Sequence, residues 1–433
     1  MNLNQMSLHS AADGIASRRF GSEELVRDCL DRIAAREDKV RAFAHCDPEA
    51  AIAAARRADQ GGSARGPLHG VPIAIKDNID TQDMPTEYNS AIYPGHRPSR
   101  DAACVAKLRD AGAIILGKTK TSEFAHLTPA DTANPHDVSR TPGGSSSGSA
   151  AAVADFMVPA ALGTQTGGST IRPASYCGVY GYKPSYRRID TRGVKSLSVS
   201  FDTVGIIARA IDDIVLLDRV LAPSQDPVAS PARPLRIAYC ETPFWTETKP
   251  ETRAALSQAA HALASHGLVV EPLSLSPEFT AINAGFFTLV AVEASWSLAA
   301  ELANHPELLS AQFRDFVEMG RAVDPDVVQQ MRAGLLSCAL EIDRAFESFD
   351  VILTPAAPGE PDPGNGLGNN EFNRIWTMLQ VPCLTIPGFV GPNGMPVGIQ
   401  LVARRGADRL LLEHGRAVAE IVYDDRAHRW PSN

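Results

Sequence analysis

The chain has 433 residues, 44% of them hydrophobic and 21% charged, a globular composition with room for one large domain or two to three ordinary ones. Its 41 basic and 50 acidic residues give a formal charge of -9, which excludes general attraction to phosphate backbones or anionic membranes, so neither nucleic acid nor membrane is an expected partner. Seven scattered cysteines (Cys29, Cys46, Cys104, Cys177, Cys240, Cys338 and Cys383), odd in number and without a CxxC pair, fit reduced thiols better than a disulfide framework or a zinc site, and point to the cytoplasm. The opening "MNLNQMSLHSAADGIASRRFGSEELV" lacks the apolar core of a signal peptide, and no run of about 18 apolar residues is read anywhere in the chain.

In chain order, the first predicted element is an amphipathic helix after Ser22, read as its N-cap, with Leu25, Val26, Cys29, Leu30, Ile33 and Ala34 on one stripe. "GVPIAIKDNI" reads as a buried strand of about five residues ending near Lys76. "AACVAKLRDAGAIILGKT" reads as a helix, a turn at Gly112 and a second strand. "PLRIAYC", a helix over 252–265 and "GLVVEPLSL" repeat the alternation, and about 281–347 is purely helical. "FDVILTP" returns to strand, and "VPCLTIPGFVGPNGMPVGIQLVAR" reads as two strands joined by a Gly-Pro turn. Segment 221–234, with four prolines and no periodicity, reads as a surface crossover, and 359–370 as a Gly-rich loop of the kind that borders a site.

The stretch "TPGGSSSGSAAAVA" (141–154) admits three readings. A linker would have polar flanks, whereas this stretch runs into strong helix formers that Ser149 is placed to cap. A phosphate cradle is physically sound at a helix N-terminus, but neither GK[ST] nor GxGxxG is present. Gly144, Ser146 and Gly148 match G-x-S-x-G, the nucleophile elbow of hydrolases, but that motif needs a strand immediately before it and the preceding "TANPHDVSRTP" is a polar loop. A second Gly/Ser cluster, with Gly167, Gly168 and Ser169 after a short helix and an apolar turn, is expected to face the first. A serine needs a base, and a lysine serves where desolvation lowers its pKa. Lys76, at the end of an apolar strand, is the candidate, and Lys183 in "GYKPS" is its rival.

The blocks "GVPIAIKDNID", "NPHDVSRTPGGSSSGSAAAVA", "ALGTQTGGS", "PASYCGVYGYKPS", "FDVILTPAAP" and "MPVGIQLVARR" together resemble the amidase signature family over most of the chain. The resemblance implies an α/β fold, a large mixed β-sheet core covered by helices on both sides, in a single domain over 1–433. Within it lie N-terminal helices (about 1–65), a signature core (about 66–220) and a C-terminal portion (about 235–433). It also implies a Ser/cis-Ser/Lys triad without cofactor or metal. By motif position Lys76 is the base, Ser145 the bridging serine in a cis peptide and Ser169 the acyl-accepting nucleophile, with the amides of Thr166, Gly167, Gly168 and Ser169 as oxyanion hole. Lys183 then lies outside the triad, as a solvated or structural charge. Ser146 and Ser147 are expected to support the loop, and Thr164 to touch the triad or serve a turn.

Two departures from the family pattern stand out: Gln165 where Asp is usual, and "GGSTIRP" for "GGSIRIP", which moves the arginine to three positions after the nucleophile, Arg172. The shifted form resembles the malonamidase branch and implies an Arg172 that binds a substrate carboxylate; the competing expectation is a pairing with a buried Asp or Glu. The implied activity is hydrolysis of a small amide, with a homodimer as the default assembly. The competing function is the glutaminase subunit of a tRNA-dependent amidotransferase, which would need partner chains and an ammonia tunnel; the shifted Arg172 favours the stand-alone enzyme.

Overall fold

The computed structural model describes residues 2–61, 66–222 and 233–424. Eleven strands form one mixed sheet: β1 (Phe43–Cys46), β2 (Pro72–Lys76), β3 (Ile114–Thr119), β4 (Ala160–Gln165), β5 (Tyr180–Lys183), β6 (Thr203–Ala208), β7 (Arg236–Tyr239), β8 (Val269–Pro272), β9 (Val351–Pro355), β10 (Cys383–Val390) and β11 (Pro396–Val402). Their order is β1-β3-β2-β4-β6-β5-β10-β11-β9-β7-β8. Parallel pairs join β2 to β3 and β4, and β7 to β8 and β9, while the strands between them run antiparallel. Every residue of β2, β3, β4, β6, β9 and β11 is buried. Since successive side chains point to opposite faces, both faces of these strands are covered, as expected of an α/β sheet.

The predicted helix at the N-terminus spans Ser22–Val40, but Gly21 holds its N-cap position. Its first amides, Ser22 N and Glu23 N, donate to the Asp59 carboxylate at 2.7 and 2.9 Å, so the cap comes from a neighbouring helix, and Ser22 Oγ donates instead to Gly70 O at 2.6 Å. The N-terminal region is not wholly helical, because it contributes β1, paired antiparallel with β3. Residues 160–165, read as an apolar turn, form the central strand β4; Gly163 and two alanines obscure its β character in the sequence, and its neighbours β2 and β6 supply the ladder. The crossover expected over 221–234 falls mostly on 223–232, outside the described residues.

The helices of 278–348 share an apolar cluster with Ala238, Ile352, Cys383 and Val402 of β7, β9, β10 and β11. Glu278–Ser297 is long and apolar enough to cross a membrane by length and composition, and 67% of its most apolar 18-residue window is buried inside the protein. The sequence reading passed over it because Asn283 and Glu293 interrupt its apolar run. Both are buried; Glu293 accepts hydrogen bonds from Ser198 Oγ, Ser200 N and Ser200 Oγ at 2.7, 2.9 and 2.6 Å. With Tyr93 Oη donating to Glu301 at 2.6 Å, and Glu123 accepting from Ser310 N at 3.1 Å, these bonds tie the helices to the loops around 93, 123 and 198–200.

Candidate active site

Because β2 and β4 run parallel in adjacent register, with Ile75 opposite Leu162, their C-terminal ends open on the same side of the sheet. The lysine that ends β2 therefore lies beside Thr164, near the end of β4. Lys76 is wholly buried, and its Nζ donates to Ser145 Oγ and to Thr164 Oγ1, each at 2.8 Å; Thr164 Oγ1 also accepts from Asn78 Nδ2 at 3.1 Å. Burial holds the Lys76 ammonium well below the usual lysine range, with only the Asp202 carboxylate pulling the other way. No salt bridge joins Lys76 to a carboxylate among the described residues, so the neutral amine is the form this environment favours.

The Gly/Ser stretch is a tightly packed loop and not a linker. The Gly144–Ser145 peptide is cis. Gly143 has φ +77°, a conformation that side chains rarely adopt, and a Cβ there would lie 3.0 Å from Pro173 Cα. The following helix starts at Ser147, not after Ser149, and Ser146 holds its N-cap position. All eight residues of that helix, Ser147–Ala154, are buried, which their small side chains permit. Ser149 lies inside it and donates to Leu162 O at 2.9 Å, tying the helix to β4 in place of capping it. Ser146 Oγ donates to Thr164 O at 3.1 Å and accepts from Thr164 N at 3.2 Å, so it braces the loop as expected, while Ser147 Oγ reaches Lys120 O only at 3.5 Å. No strand immediately precedes Ser146, which removes the elbow geometry.

Ser169 sits between β4 and the helix Ile171–Cys177, and it lines the same cavity as Ser145. Among the described residues no hydrogen bond joins the two hydroxyls. No protein acceptor among the described residues takes the amides of Gly167, Gly168 or Ser169. Gln165 holds the turn that follows β4. Its Oε1 accepts from Thr170 N and Ile171 N at 2.8 and 3.1 Å, as a carboxylate would. Its Nε2 adds a bond to Thr377 Oγ1 at 3.0 Å, and that hydroxyl reaches Gly167 O at 2.8 Å. A Cβ on Gly168 would lie 2.5 Å from Asn373 Oδ1, so a side chain has no room there.

The cavity measures about 90 Å³. Its wall includes Thr166 and Gly167, the apolar side chains of Leu127, Leu197, Phe286, Phe287, Val290 and Leu367, and Arg172. Arg172 does not make the expected pairing with a buried Asp or Glu among the described residues; it donates to Gly368 O at 2.8 Å and to Gly144 O, the carbonyl of the cis peptide. Its Nε has no partner among the described residues. Burial pulls the guanidinium down to about 10, with Tyr176 opposing and Arg374 adding to the effect, but it remains a cation at neutral pH. Lys183, the rival base, is wholly buried and not solvated; its Nζ donates to Pro184 O at 2.8 Å, and it is not among the cavity's lining residues. The loop 359–370 does border the site, through Leu367, Gly368 and Asn370.

Sequence reasoning missed Asn78, Thr377, Asn373, Asn370 and His126. They come from separate elements whose convergence no local pattern records, and only the Gly-rich composition beside Asn370 gave any signal.

The family model described as Amidase matches residues 24–412. A glutamyl-tRNA(Gln) amidotransferase subunit from Chloroflexus aggregans (strain MD-66 / DSM 9485) is 32% identical over 478 residues, covering 97% of this chain and 97% of that protein. A solved amidase structure superposes with a TM-score of 0.86 at 31% identity, covering 95% of this chain and 98% of the other. The native peptide amidase from Stenotrophomonas maltophilia superposes with a TM-score of 0.83 at 28% identity, covering 99% and 98%.

Proposed function

Because this chain belongs to the amidase family and is a hydrolase acting on carbon–nitrogen amide bonds, we propose that it cleaves a compact carboxylic amide bearing a carboxylate, through an acyl-enzyme on Ser169. The observation that carries the reading is the chain from buried Lys76 through Ser145 to a cavity that Ser169 also lines. Neutral Lys76 takes the Ser145 hydroxyl proton as Ser145 takes that of Ser169, and Ser169 Oγ attacks the amide carbon. The oxygen, now anionic, is held by the amides of Thr166, Gly167, Gly168 and Ser169. The proton returns through Ser145 to the leaving nitrogen, the C–N bond breaks, and ammonia or an amine departs. Water, deprotonated by the same pair, then releases the acid and frees Ser169. Arg172, a buried cation in the cavity wall whose Nε has no partner among the described residues, supports a carboxylate on the substrate and, with it, the malonamidase-like branch of the family.

The curated relatives favour a second reading, the glutaminase subunit of a tRNA-dependent amidotransferase, since a full-length relative is named as an amidotransferase subunit. Glutamine is itself a compact amide with a carboxylate. Its α-ammonium would want an acidic partner, however, and no Asp or Glu lines the cavity among the described residues, which supports the stand-alone hydrolase. Ammonia release by the purified chain alone, measured on glutamine and on monoamides of short dicarboxylic acids, separates the two. Turnover of the dicarboxylic monoamides without added partners supports the hydrolase; activity on glutamine alone, and only with partner chains, replaces it with the amidotransferase reading.

A further inference from the structure

One buried polar group in the cavity wall has no part in the acyl-transfer steps. His126 lines the cavity together with Ser145, Ser169 and Arg172, is 7% exposed, and its Nε2 has no hydrogen-bond partner among the described residues. Its ring is clamped by Phe316 at 4.0 Å between centroids, by Phe313 at 6.0 Å and by Phe287 at 6.3 Å. The two residues before it, Phe124 and Ala125, both hold left-handed backbone with φ of 46° and 61°. Such conformations cost about 1 kcal/mol or more apiece for non-glycine residues and concentrate where a side chain must be aimed at a site. Burial pushes the imidazole down to about 3, so it is neutral around pH 7 and is too weak a base to compete with Lys76. A neutral imidazole offers one donor and one acceptor nitrogen.

We propose that His126 is a specificity-determining residue, which hydrogen-bonds a second polar group on the substrate, a hydroxyl, carboxamide or ureido group distinct from the scissile amide. The proposal rests on the amidohydrolase reading. His126 is fixed to the phenylalanines of 287–316, whereas Arg172 is fixed to Gly144 and Gly368, so the two groups address different parts of a bound molecule. With apolar side chains making up most of the remaining wall, a substrate lacking that group leaves a buried nitrogen unsatisfied.

The test compares shape-matched amides: malonamide against isovaleramide, and 3-hydroxypropionamide against butyramide. In the wild type kcat/KM favours the polar member of each pair, and His126→Leu lowers that ratio about 10- to 100-fold, the range expected for a buried hydrogen-bonding group left without its partner. His126→Gln restores part of it, and the wild-type ratio stays flat from about pH 6 to 9 because the imidazole does not titrate there. A purely structural histidine would lower the melting temperature and both rates alike without moving the ratio. An unchanged ratio in His126→Leu, with all four amides still hydrolysed, overturns the role of His126 and leaves the amidohydrolase reading standing. Should only malonamic acid, which carries the carboxylate of the proposed substrate, release ammonia, the four are compared as inhibitors of its hydrolysis, with the same ratios expected; no ammonia from any of the five overturns both. Should His126→Leu not fold, His126→Phe against His126→Gln makes the same comparison.

Discussion

Replacing Arg172 with leucine separates its structural work from its proposed contact with substrate. The guanidinium makes two charge-assisted bonds to backbone carbonyls, Gly368 O at 2.8 Å and Gly144 O, and each contributes about 1.5–3 kcal/mol, roughly 3–6 kcal/mol together. Leucine also removes a buried cation that has no carboxylate partner among the described residues, whose desolvation costs several kcal/mol, so most of that loss is offset. The expected net drop in unfolding free energy is about 0–3 kcal/mol, read from denaturant titration. Amides that carry a carboxylate lose a desolvated ion pair as well, about 2–5 kcal/mol, or roughly 30- to 5,000-fold in kcat/KM. Neutral amides of the same length suffer only from the loosened Gly144 carbonyl, by about tenfold or less. Arg172→Lys keeps the charge but not the planar fork, and falls between the two. Equal losses on charged and neutral amides would refute the substrate contact and leave Arg172 as a brace for the loops at 144 and 368.

Lys76 works as a neutral base, so activity falls as pH drops through its depressed pKa, and Lys76→Ala lowers kcat by several orders of magnitude; near-normal turnover would remove it from the mechanism. Its depressed folded-state pKa also has a linkage sign: the unfolded chain binds the extra proton, so this group's contribution to stability increases as pH rises toward the ordinary lysine value. Lys76→Met abolishes that slope in a pH series of denaturant titrations. Lys183→Met, outside the cavity wall, lowers the melting temperature while leaving kcat/KM within about threefold of wild type; a loss matching that of Lys76→Ala would revive the rival base.

The strands with strong apolar runs, β2, β3, β9, β10 and β11, were legible because buried strands write themselves as continuous Val, Ile and Leu. β4 was not, since Ala, Gly and Thr fill it, and its strand character comes from pairing with β2 and β6. The cap of the first long helix was misread for a similar reason: Asp59 supplies it from 37 residues away. At the site, Lys76, Ser145 and Ser169 could be named from motif position, but Thr164 as a bonding partner of Lys76 follows only from the parallel register of β2 and β4. His126 and Thr377 carry no sequence signal, because burial and the absence or presence of a partner are properties of packing. Gln165, a departure from the family pattern, caps the turn after β4 through its amide oxygen, a role that only the folded chain reveals.

The central claim is that Ser169 carries the acyl group. Treating the purified chain with a fluorophosphonate and mapping the adduct by peptide mass spectrometry tests it most directly. A single adduct on Ser169, absent from Ser169→Ala that is otherwise folded, is the expected result. An adduct on Ser146, in the G-x-S-x-G match, would contradict the account.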